Sequence, residues 1–355
     1  MIHGLIDGIP VEVEEGTTIL KAAASAGIKI PTLCYLKDLA PDGSCRLCVV
    51  EIEGNRKLMT ACSAPLAEGN VVHTESERVI AARKFVLELL MTKHKAHCFN
   101  CPRNGMCELQ EYCYEYGVEE SPIADTLEKE PIDKSNPFFT FDPNLCIMCR
   151  RCQRTCEQIS GRNAISIIGR GYSEKMGVPY DYEEAIGFGN SMCESCGNCV
   201  EACPTGALSR KAGKRYRSWE VERTRTTCPH CAVGCQYDLL VKNNRIVGVE
   251  AADGPTNHNM LCVKGRFGSY NFVHAGDRIT DPLIKNRETG EFRKATWDEA
   301  MSLVASKLTE IRDTYGGDAL AGFACSRSTN EDIYMLQKMV RAAFQSNNTD
   351  NCARV

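Results

Sequence analysis

The pattern of apolar and polar positions predicts a chain of short strands and helices. Near its start, two alternating runs flank Asp7-Gly8, a dipeptide typical of a hairpin turn because both central positions adopt positive φ. A helix with a threonine at its N-cap and a glycine at its left-handed end follows, and then a third strand. The predicted elements are strands Ile2–Ile6, Ile9–Val13 and Val49–Glu53 and a helix from Thr17 or Thr18 to Gly27.

Helical and extended patterns recur further along the chain. A hairpin turns at Asn243-Asn244, and a capping box, Thr296-Trp-Asp-Glu299, opens a helix near the end. The predicted elements are helices Ser76–Met91 (with Val79, Ala82, Val86 and Leu90 on one face), Thr296–Ile311 and one capped by Asn330, and strands Gln236–Val241, Arg245–Glu250 and Asp318–Cys325. Strand, loop and helix in this last region indicate the start of a doubly wound α/β domain.

Composition narrows the class of protein. The 355 residues include 22 cysteines, about 6%, which is below the density of a disulfide scaffold, and many stand in C-x2-C pairs typical of metal sites. The first ten residues lack the features of a secretory signal, and no apolar run approaches the ~18 residues that a membrane span requires. We therefore expect a cytoplasmic protein, and a net charge of −4 gives no reason to expect a nucleic-acid partner.

Two cysteine runs in the middle of the chain carry the strongest chemical signal. Each has the spacing C-x2-C-x2-C-x3-C, and the second is followed by Pro204. This is the ligand run of bacterial ferredoxins, in which the fourth cysteine of each run binds the cluster of the other run. Paired zinc sites are the alternative, but zinc normally takes two separated ligand pairs. The spacing predicts two [4Fe–4S] clusters, one bound by Cys146, Cys149, Cys152 and Cys203 and the other by Cys193, Cys196, Cys199 and Cys156.

A looser set of four cysteines follows the first predicted helix. Its spacing, C-x10-C-x2-C-x13-C, departs from the plant-type run but keeps a ligand loop and a distant fourth cysteine. Scattered core cysteines are the alternative. Together with the preceding strands and helix, the set predicts a β-grasp ferredoxin whose [2Fe–2S] cluster is bound by Cys34, Cys45, Cys48 and Cys62.

A mixed set of one histidine and three cysteines follows the helix that Ser76 caps. A [4Fe–4S] cluster with one imidazole ligand is predicted, and a zinc site with the same four ligands is the competing class. His97 is a rival for the histidine, and Cys113 is a rival for one of the thiolates. The predicted ligands are His94, Cys98, Cys101 and Cys107.

A last set, C-x2-C-x3-C-x26-C, surrounds the hairpin turned at Asn243-Asn244. The hairpin returns the fourth cysteine to the loop that holds the other three, which predicts a further [4Fe–4S] cluster bound by Cys228, Cys231, Cys235 and Cys262. Lys264 lies two residues beyond that fourth cysteine. Most lysines lie at the surface without a role, but one beside a cluster ligand can offer a positive charge to electrons that leave the cluster.

These sets divide the chain into modules and predict an α+β multidomain protein. Residues 118–140, rich in Glu and Pro, indicate a linker, and residues 157–192 form an insertion between the two ferredoxin runs. The predicted domains are a [2Fe–2S] β-grasp ferredoxin at 1–76, a [4Fe–4S] module with one histidine and three cysteine ligands at 77–117, a double [4Fe–4S] ferredoxin at 138–210, a further [4Fe–4S] domain at 221–277 and an incomplete α/β domain at 278–355.

The order of these motifs resembles known redox families. Residues 1–210 resemble the electron-entry part of the large iron–sulfur subunit of complex I and the N-terminal region of iron-only hydrogenases. The segment Leu261–Gly268 then resembles the cluster-binding segment of molybdopterin oxidoreductases, and Cys325–Glu331 and Asn351–Val355 resemble formate dehydrogenases. The chain is thus similar to the catalytic α subunit of cytoplasmic, NAD(P)-linked formate dehydrogenases.

The resemblance implies an activity, cofactors and partners. Formate would be oxidised to CO2, or CO2 reduced, at a bis-molybdopterin guanine dinucleotide that carries molybdenum or tungsten. Electrons would pass Lys264, which would lie between the last cluster and a pterin, and then four [4Fe–4S] clusters and one [2Fe–2S] cluster. The implied partner is a flavin- and NAD(P)-binding iron–sulfur subunit, or a ferredoxin or hydrogenase subunit, in a hetero-oligomer. A complex I-like large subunit, another molybdopterin oxidoreductase and a non-catalytic electron-transfer polypeptide are the alternatives.

The resemblance also marks where the metal ligand is expected. In formate dehydrogenases the Cys-Ala-Arg-Val run is followed at once by the selenocysteine or cysteine that binds the metal. Cys352 matches the cysteine of that run, not the metal ligand, and the sequence stops at Val355. We expect the next codon to be UGA, encoding selenocysteine, and sequencing of the gene beyond codon 355 tests this.

Overall fold

The computed structural model describes residues 1–94, 98–123, 128–178, 187–211, 216–268 and 270–353. It divides into two compact units, residues 1–221 and 222–355. The first three predicted domains lie within the first unit and the last two within the second, with Val221 at the boundary. Among the helices of the described residues, none has both the length and the apolar character of a membrane span.

The first unit opens with a five-stranded sheet of order β2-β1-β5-β3-β4. Asp7 and Gly8 both take positive φ at the turn between β1 and β2, and the Thr18 side chain caps α1 by accepting from Lys21 N, as predicted. The strands β4 and β5 were not predicted; β5 pairs in parallel with β1 and joins it to β3. The elements are β1 (Ile2–Ile6), β2 (Ile9–Val13), α1 (Ile19–Ser25), β3 (Val49–Ile52), β4 (Met59–Thr60) and β5 (Asn70–His73).

Two helices follow the sheet. The α2 helix (Glu77–Lys93) is capped by Ser76 as predicted and ends two residues beyond Met91. The α3 helix (Glu108–Glu115) was not predicted. A shared core joins both helices to loops that hold cysteines, and it includes Leu33, Leu87, Leu109 and Ile147.

The residues around the two ferredoxin runs form short elements. Strands β6 and β9 pair antiparallel and bring the two ends of this region together, so the predicted linker is wrong where it includes β6. The insertion contains the hairpin β7–β8, and its residues 179–186 lie outside the described part of the chain. The elements are β6 (Phe139–Phe141), α4 (Arg151–Arg154), β7 (Ser166–Ile168), β8 (Lys175–Gly177), α5 (Asn198–Ala202) and β9 (Leu208–Arg210).

The second unit begins with a three-stranded antiparallel sheet of order β10-β11-β12. Its strands are β10 (Glu222–Thr227), β11 (Gln236–Lys242) and β12 (Arg245–Ala251). The predicted hairpin is confirmed, because Asn243 and Asn244 both take positive φ at its turn. The β10 strand was not predicted, since its residues are polar and mostly exposed and show no apolar alternation.

The rest of the second unit contains a parallel β–α–β unit, in which β15 and β16 pair in register on either side of α7. Two caps differ from prediction. Thr329, not Asn330, caps α7 by accepting from Asp332 N, and the Glu299 carboxylate pairs with Arg293, so the Thr296 capping box is only half formed. The elements are β13 (Leu283–Lys285), β14 (Phe292–Lys294), α6 (Trp297–Tyr315), β15 (Gly322–Ala324), α7 (Asn330–Met339) and β16 (Thr349–Asn351).

Candidate metal centres

The four cysteines of the predicted [2Fe–2S] set lie together, each at most 6% exposed. The thiol of Cys45 hydrogen-bonds to Cys34, and with the backbone and Ser44 it lowers the pKa of Cys34 to about 5, while the pKa of Cys45 is raised. Cys48 and Cys62 form a second such pair, in which the pKa of Cys62 is lowered. The pairing places Cys34 beside Cys45 and Cys48 beside Cys62, and the second pair lies next to the ends of β3 and β4.

The two ferredoxin runs share a backbone geometry. The residue two after the first cysteine of each run, Met148 or Ser195, takes positive φ and donates its N–H to that cysteine's Sγ at 3.4 Å. The residue one after the second cysteine, Arg150 or Gly197, also takes positive φ. Left-handed backbone is unfavourable for residues other than glycine, so these strained positions need compensation from the bonds that they make. The N–H···S bonds of Met148 and Ser195 compensate for this strain because they stabilise the thiolates of Cys146 and Cys193.

The structure brings the fourth cysteine of each run to the other run. Burial raises the pKa of Cys152 well above its usual range, and the neighbouring sulfurs of Cys149, Cys146 and Cys203 raise it further, with Cys199 acting least. Burial also raises the pKa of Cys193, where the nearby sulfurs are Cys196 and Cys156. Cys203 thus lies with the first three cysteines of the first run, and Cys156 with the second run.

The predicted set of one histidine and three cysteines lines one cavity. His94, Cys98, Cys101 and Cys107 all face a space of about 410 Å³, and Cys113 lines it as well. The Nδ1 atom of His94 lies 3.0 Å from the Leu145 carbonyl oxygen, so a proton on Nδ1 leaves Nε2 as the free ligand atom. Burial lowers the pKa of His94, which favours the neutral ring that a metal requires.

Cys113 differs from the other cysteines at this cavity. Backbone N–H groups bond to the sulfurs of Cys101 and Cys107, whereas burial raises the pKa of Cys113 to about 11 with no such bond opposing it. Burial raises the pKa of Cys107 to about 11 as well, so Cys113 differs from it in lacking a backbone donor to its sulfur. His97 lies outside the described residues.

The last set lies together in the second unit. Cys228 N donates to the Cys235 carbonyl at 2.8 Å, and the sulfurs of Cys228, Cys231 and Cys262 all raise the pKa of Cys235, after burial. Asn257, which the sequence did not single out, fixes the return to Cys262: its amide donates to the carbonyls of Gln236, Ala252 and Met260, each at 3.0 Å. Lys264 is exposed, whereas Arg266 is fully buried.

Buried arginines connect the sets of the first unit, and sequence reasoning missed them. Arg154 donates to the carbonyls of Ala40, at 2.9 Å, and Cys34. Arg151 pairs with Glu108 through two hydrogen bonds of 2.7 and 3.0 Å, and it interacts electrostatically with both Cys149 and Cys45. One cation therefore lies between the [2Fe–2S] loop and the first ferredoxin run.

The unsatisfied buried polar atoms fit bound clusters. Within the described residues, seven buried side-chain nitrogen or oxygen atoms have no hydrogen-bond partner, and six belong to residues between predicted ligands: Arg103, Arg150, Arg151, Arg154, Thr155 and His230. Buried donors without acceptors are rare in folded proteins, and cluster sulfurs are acceptors. No three His, Cys, Asp or Glu side chains in the described ranges converge on a single ion position. A cubane instead gives each ligand a separate iron, so its ligands surround a cavity.

Five family models match successive parts of the chain. They are the 2Fe-2S iron–sulfur cluster binding domain (residues 1–77), the NADH-ubiquinone oxidoreductase-G iron–sulfur binding region (83–122), the 4Fe-4S dicluster domain (145–207), the molybdopterin oxidoreductase Fe4S4 domain (221–274) and molybdopterin oxidoreductase (278–355). The chain carries the iron–sulfur electron-transfer module of a molybdopterin oxidoreductase. Its ferredoxin-type domains and its mixed α and β content agree with the predicted fold class.

Curated relatives of this molybdopterin oxidoreductase chain differ in the functions that their names give. It is 40% identical to the NADPH-Fe(3+) oxidoreductase subunit alpha of Geobacter sulfurreducens and 37% identical to a subunit of an NADH-quinone oxidoreductase of Rhizobium meliloti, in each case over 100% of this chain and 40% of the relative. It is 32% identical, over 98% of this chain and 39% of the relative, to a Staphylococcus haemolyticus protein provisionally named a formate dehydrogenase. The chain thus spans about 40% of the length of these relatives.

A solved structure is similar as well. One chain of an NAD+-reducing [NiFe]-hydrogenase in the H2-reduced state matches with a TM-score of 0.56 and 31% identity, over 61% of this chain and 90% of that chain.

Proposed function

We propose that this chain is the electron relay of a formate dehydrogenase that exchanges electrons with an NAD(P)-linked iron–sulfur flavoprotein subunit. Formate oxidation yields CO2, one proton and two electrons, at a molybdenum or tungsten centre held by bis-molybdopterin guanine dinucleotide. The relay rests on one observation: the twenty predicted ligands fall into five sets, four of them packed within the first unit. The formate assignment rests on the resemblance at Cys325–Glu331 and Asn351–Val355 and on the staphylococcal relative.

The ligand sets support one [2Fe–2S] cluster and four [4Fe–4S] clusters. When bound, each cluster accepts and releases a single electron, which is the redox chemistry that the protein lacks by itself. The side chains hold and tune the clusters. Burial raises the pKa of five thiols in these runs, so cluster insertion at neutral pH must release their protons; the pKa of Cys146 rises to about 12, and the others are Cys149, Cys152, Cys156 and Cys193. The backbone N–H groups of Met148 and Ser195 then stabilise the thiolates.

The packing supports a more direct route than a linear order through the His94 site. Cys34 and Cys45 share a core with Ile147 and Cys149, and Arg151 interacts with Cys45 and Cys149 alike. A [2Fe–2S] cluster held by Cys34 and Cys45 would therefore exchange electrons directly with a cluster held by Cys149. The His94 site joins the same cluster through the carbonyl of Leu145, which precedes Cys146. Lys264 would act at the cluster of the second unit, next to the pterin.

Formate-dependent reduction of a viologen dye by the full-length enzyme, purified with its partner, tests the substrate. Absence of dye reduction with all clusters and the metal cofactor present would contradict the formate assignment. Iron analysis and low-temperature EPR test the relay separately, and we expect one [2Fe–2S] and four [4Fe–4S] signals. Zinc bound at the His94 site in place of iron would remove one of the four [4Fe–4S] signals.

A second candidate function is NADPH-dependent reduction of ferric iron, favoured by the 40% identity to the Geobacter subunit. In that case the relay runs in the opposite direction, from the flavoprotein subunit outward. NADPH-dependent reduction of ferric citrate without any formate-dependent activity would favour this candidate over formate oxidation.

A further inference from the structure

Three cysteines lie outside the predicted ligand sets, since 22 cysteines less 19 ligands leave Cys113, Cys325 and Cys352. Cys113 is buried on α3. Cys325 and Cys352 are exposed in the second unit and follow directly after β15 and β16. These two positions are at the carboxyl ends of neighbouring parallel strands, the edge at which open α/β sheets place their functional residues.

The strand register brings the two sulfurs together. Ala324 pairs with Asn351, so Cys325 and Cys352 are the next residues along two parallel strands in register. Neighbouring strands lie about 4.8 Å apart, and disulfides form across Cα separations of roughly 4.4–6.8 Å. The Sγ atoms are 3.8 Å apart in the thiol form. Closure of a disulfide thus requires a small side-chain movement and no shift of either strand.

A neighbouring serine prepares one of the two sulfurs for reaction. Ser326 Oγ lies 3.4 Å from Cys352 Sγ, and Ser326 N donates to the same sulfur at 3.5 Å. The Ser326 hydroxyl, then its N–H and then the Cys325 thiol lower the pKa of Cys352 to about 7. The thiolate is the nucleophile in disulfide exchange, so Cys352 is the attacking residue.

We propose that Cys325 and Cys352 form a reversible dithiol–disulfide site that reacts with small-molecule disulfides. The Cys352 thiolate attacks one sulfur of the disulfide, forms a mixed disulfide and releases one thiolate. The Cys325 sulfur, losing its proton to solvent, then attacks Cys352 Sγ and releases the second thiolate. The protein loses two electrons and two protons, and the disulfide is reduced to two thiols. Its readout is separate from the proposed formate activity, because its product is a covalent bond within this chain.

The experiment uses the full-length protein with its clusters, purified anaerobically under thiol and then exposed to glutathione disulfide at pH 7. Non-reducing peptide mass spectrometry should find the Cys325 and Cys352 peptides linked, and dithiothreitol should separate them. Cys325→Ser should instead retain glutathione on Cys352, because the resolving sulfur is missing. The proposal would be overturned if no linked peptide were found in the unsubstituted protein, or if glutathione remained attached to its Cys352.

A second measurement compares the reactivity of the two thiols. Iodoacetamide should alkylate Cys352 of the reduced protein faster than Cys325 at pH 7, because the Ser326 hydroxyl and N–H both lie against the Cys352 sulfur and stabilise its thiolate. The rate at Cys352 should rise with pH through a midpoint near 7. Ser326→Ala should slow the reaction at pH 7 and move that midpoint upward. Equal alkylation rates at Cys352 and Cys325 would contradict the assigned nucleophile.

Discussion

The ion pair between Glu108 and Arg151 offers a sharp test of how the first unit is held together. Glu108 begins α3, and Arg151 begins α4 in the first ferredoxin run, so the pair connects two cluster sites. Their two hydrogen bonds measure 2.7 and 3.0 Å, and the Arg151 side chain is 7% exposed. Burial by itself lowers the pKa of Arg151, but the hydrogen bond to Glu108 and the charges of Glu108, Cys149 and Cys45 together outweigh burial and raise it.

Glu108→Gln should destabilise the contact between α3 and α4 by about 2 kcal/mol. Removing one partner of a fully buried pair costs about 3–5 kcal/mol, because the other charge is left unpaired. The Glu108 side chain is 38% exposed, so solvent screens part of that loss and reduces the expected cost to about 2 kcal/mol. A loss of about 2 kcal/mol is roughly a 30-fold change in a local opening equilibrium.

Native-state hydrogen exchange measures this opening while the clusters remain bound. Protection of amides in Glu108–Glu115 and Arg151–Arg154 should fall roughly 30-fold in Glu108→Gln. Glu111→Gln is the matched control on the same helix, because Glu111 pairs with Lys29 at 3.3 Å with both side chains more than 60% exposed. An exposed pair contributes less than about 1 kcal/mol, so exchange there should change by less than about fivefold.

The comparison between the two variants decides the outcome. Equal changes in Glu108→Gln and Glu111→Gln would refute the claim that burial makes the first pair important. A second variant, Glu108→Met with Arg151→Met, should recover most of the protection, because removing both charges leaves neither member of this pair buried and unpaired. Protection that stays low in this double variant would mean that Arg151 acts through the cluster and not through Glu108.

Three further predictions concern the clusters. Gly206→Ala should remove the [4Fe–4S] signal of the His94 site, because its Cβ would lie 2.5 Å from Cys101 Sγ; Gly265→Ala, whose nearest contact is 3.4 Å, should keep all signals in EPR. Arg154→Met should lower the reduction potential of the [2Fe–2S] cluster by about 100 mV. One positive charge at roughly 7 Å, with an effective dielectric constant of about 20, stabilises the reduced cluster by about 2 kcal/mol. An unchanged potential in an EPR redox titration would contradict this. His94→Cys should keep a [4Fe–4S] cluster with a lower potential, because thiolate adds a negative charge, and zinc in that variant would count against an iron site.

Local sequence signals predicted the elements that local chemistry determines. Asp7-Gly8 and Asn243-Asn244 specify their hairpins because each turn needs positive φ at both residues. Thr18 and Ser76 cap helices where the pattern places them. Cysteine spacing grouped residues that the structure then brings together, such as His94 with Cys107 at one cavity. These signals span a few residues, or a spacing that one loop satisfies.

Contacts between distant parts of the chain were beyond such reasoning. The β5 strand has four residues and owes its place to parallel pairing with β1, which puts Asn70 beside Gly4. Glu299 was expected to complete a capping box, but a competing cation at Arg293 takes its carboxylate. Arg154 stands in a cysteine run whose pattern is typical of a surface loop, yet its acceptors, Ala40 and Cys34, are 114 and 120 positions away.

The buried arginines offset the negative charge that clusters bound at the ligand sets would carry. A [2Fe–2S] or [4Fe–4S] core with a charge of about +2 and four thiolates leaves a net charge of about −2 inside a protein, and a buried charge needs a partner. Arg151 and Arg154 are each at most 7% exposed and lie within the first ferredoxin run. Their Nε atoms find no acceptor among protein atoms. The terminal nitrogens of these two arginines therefore connect the modules, while their positive charge and their Nε–H groups remain for the cluster sites. A substitution of either arginine should both weaken the contact between modules and shift the reduction potential of a neighbouring cluster.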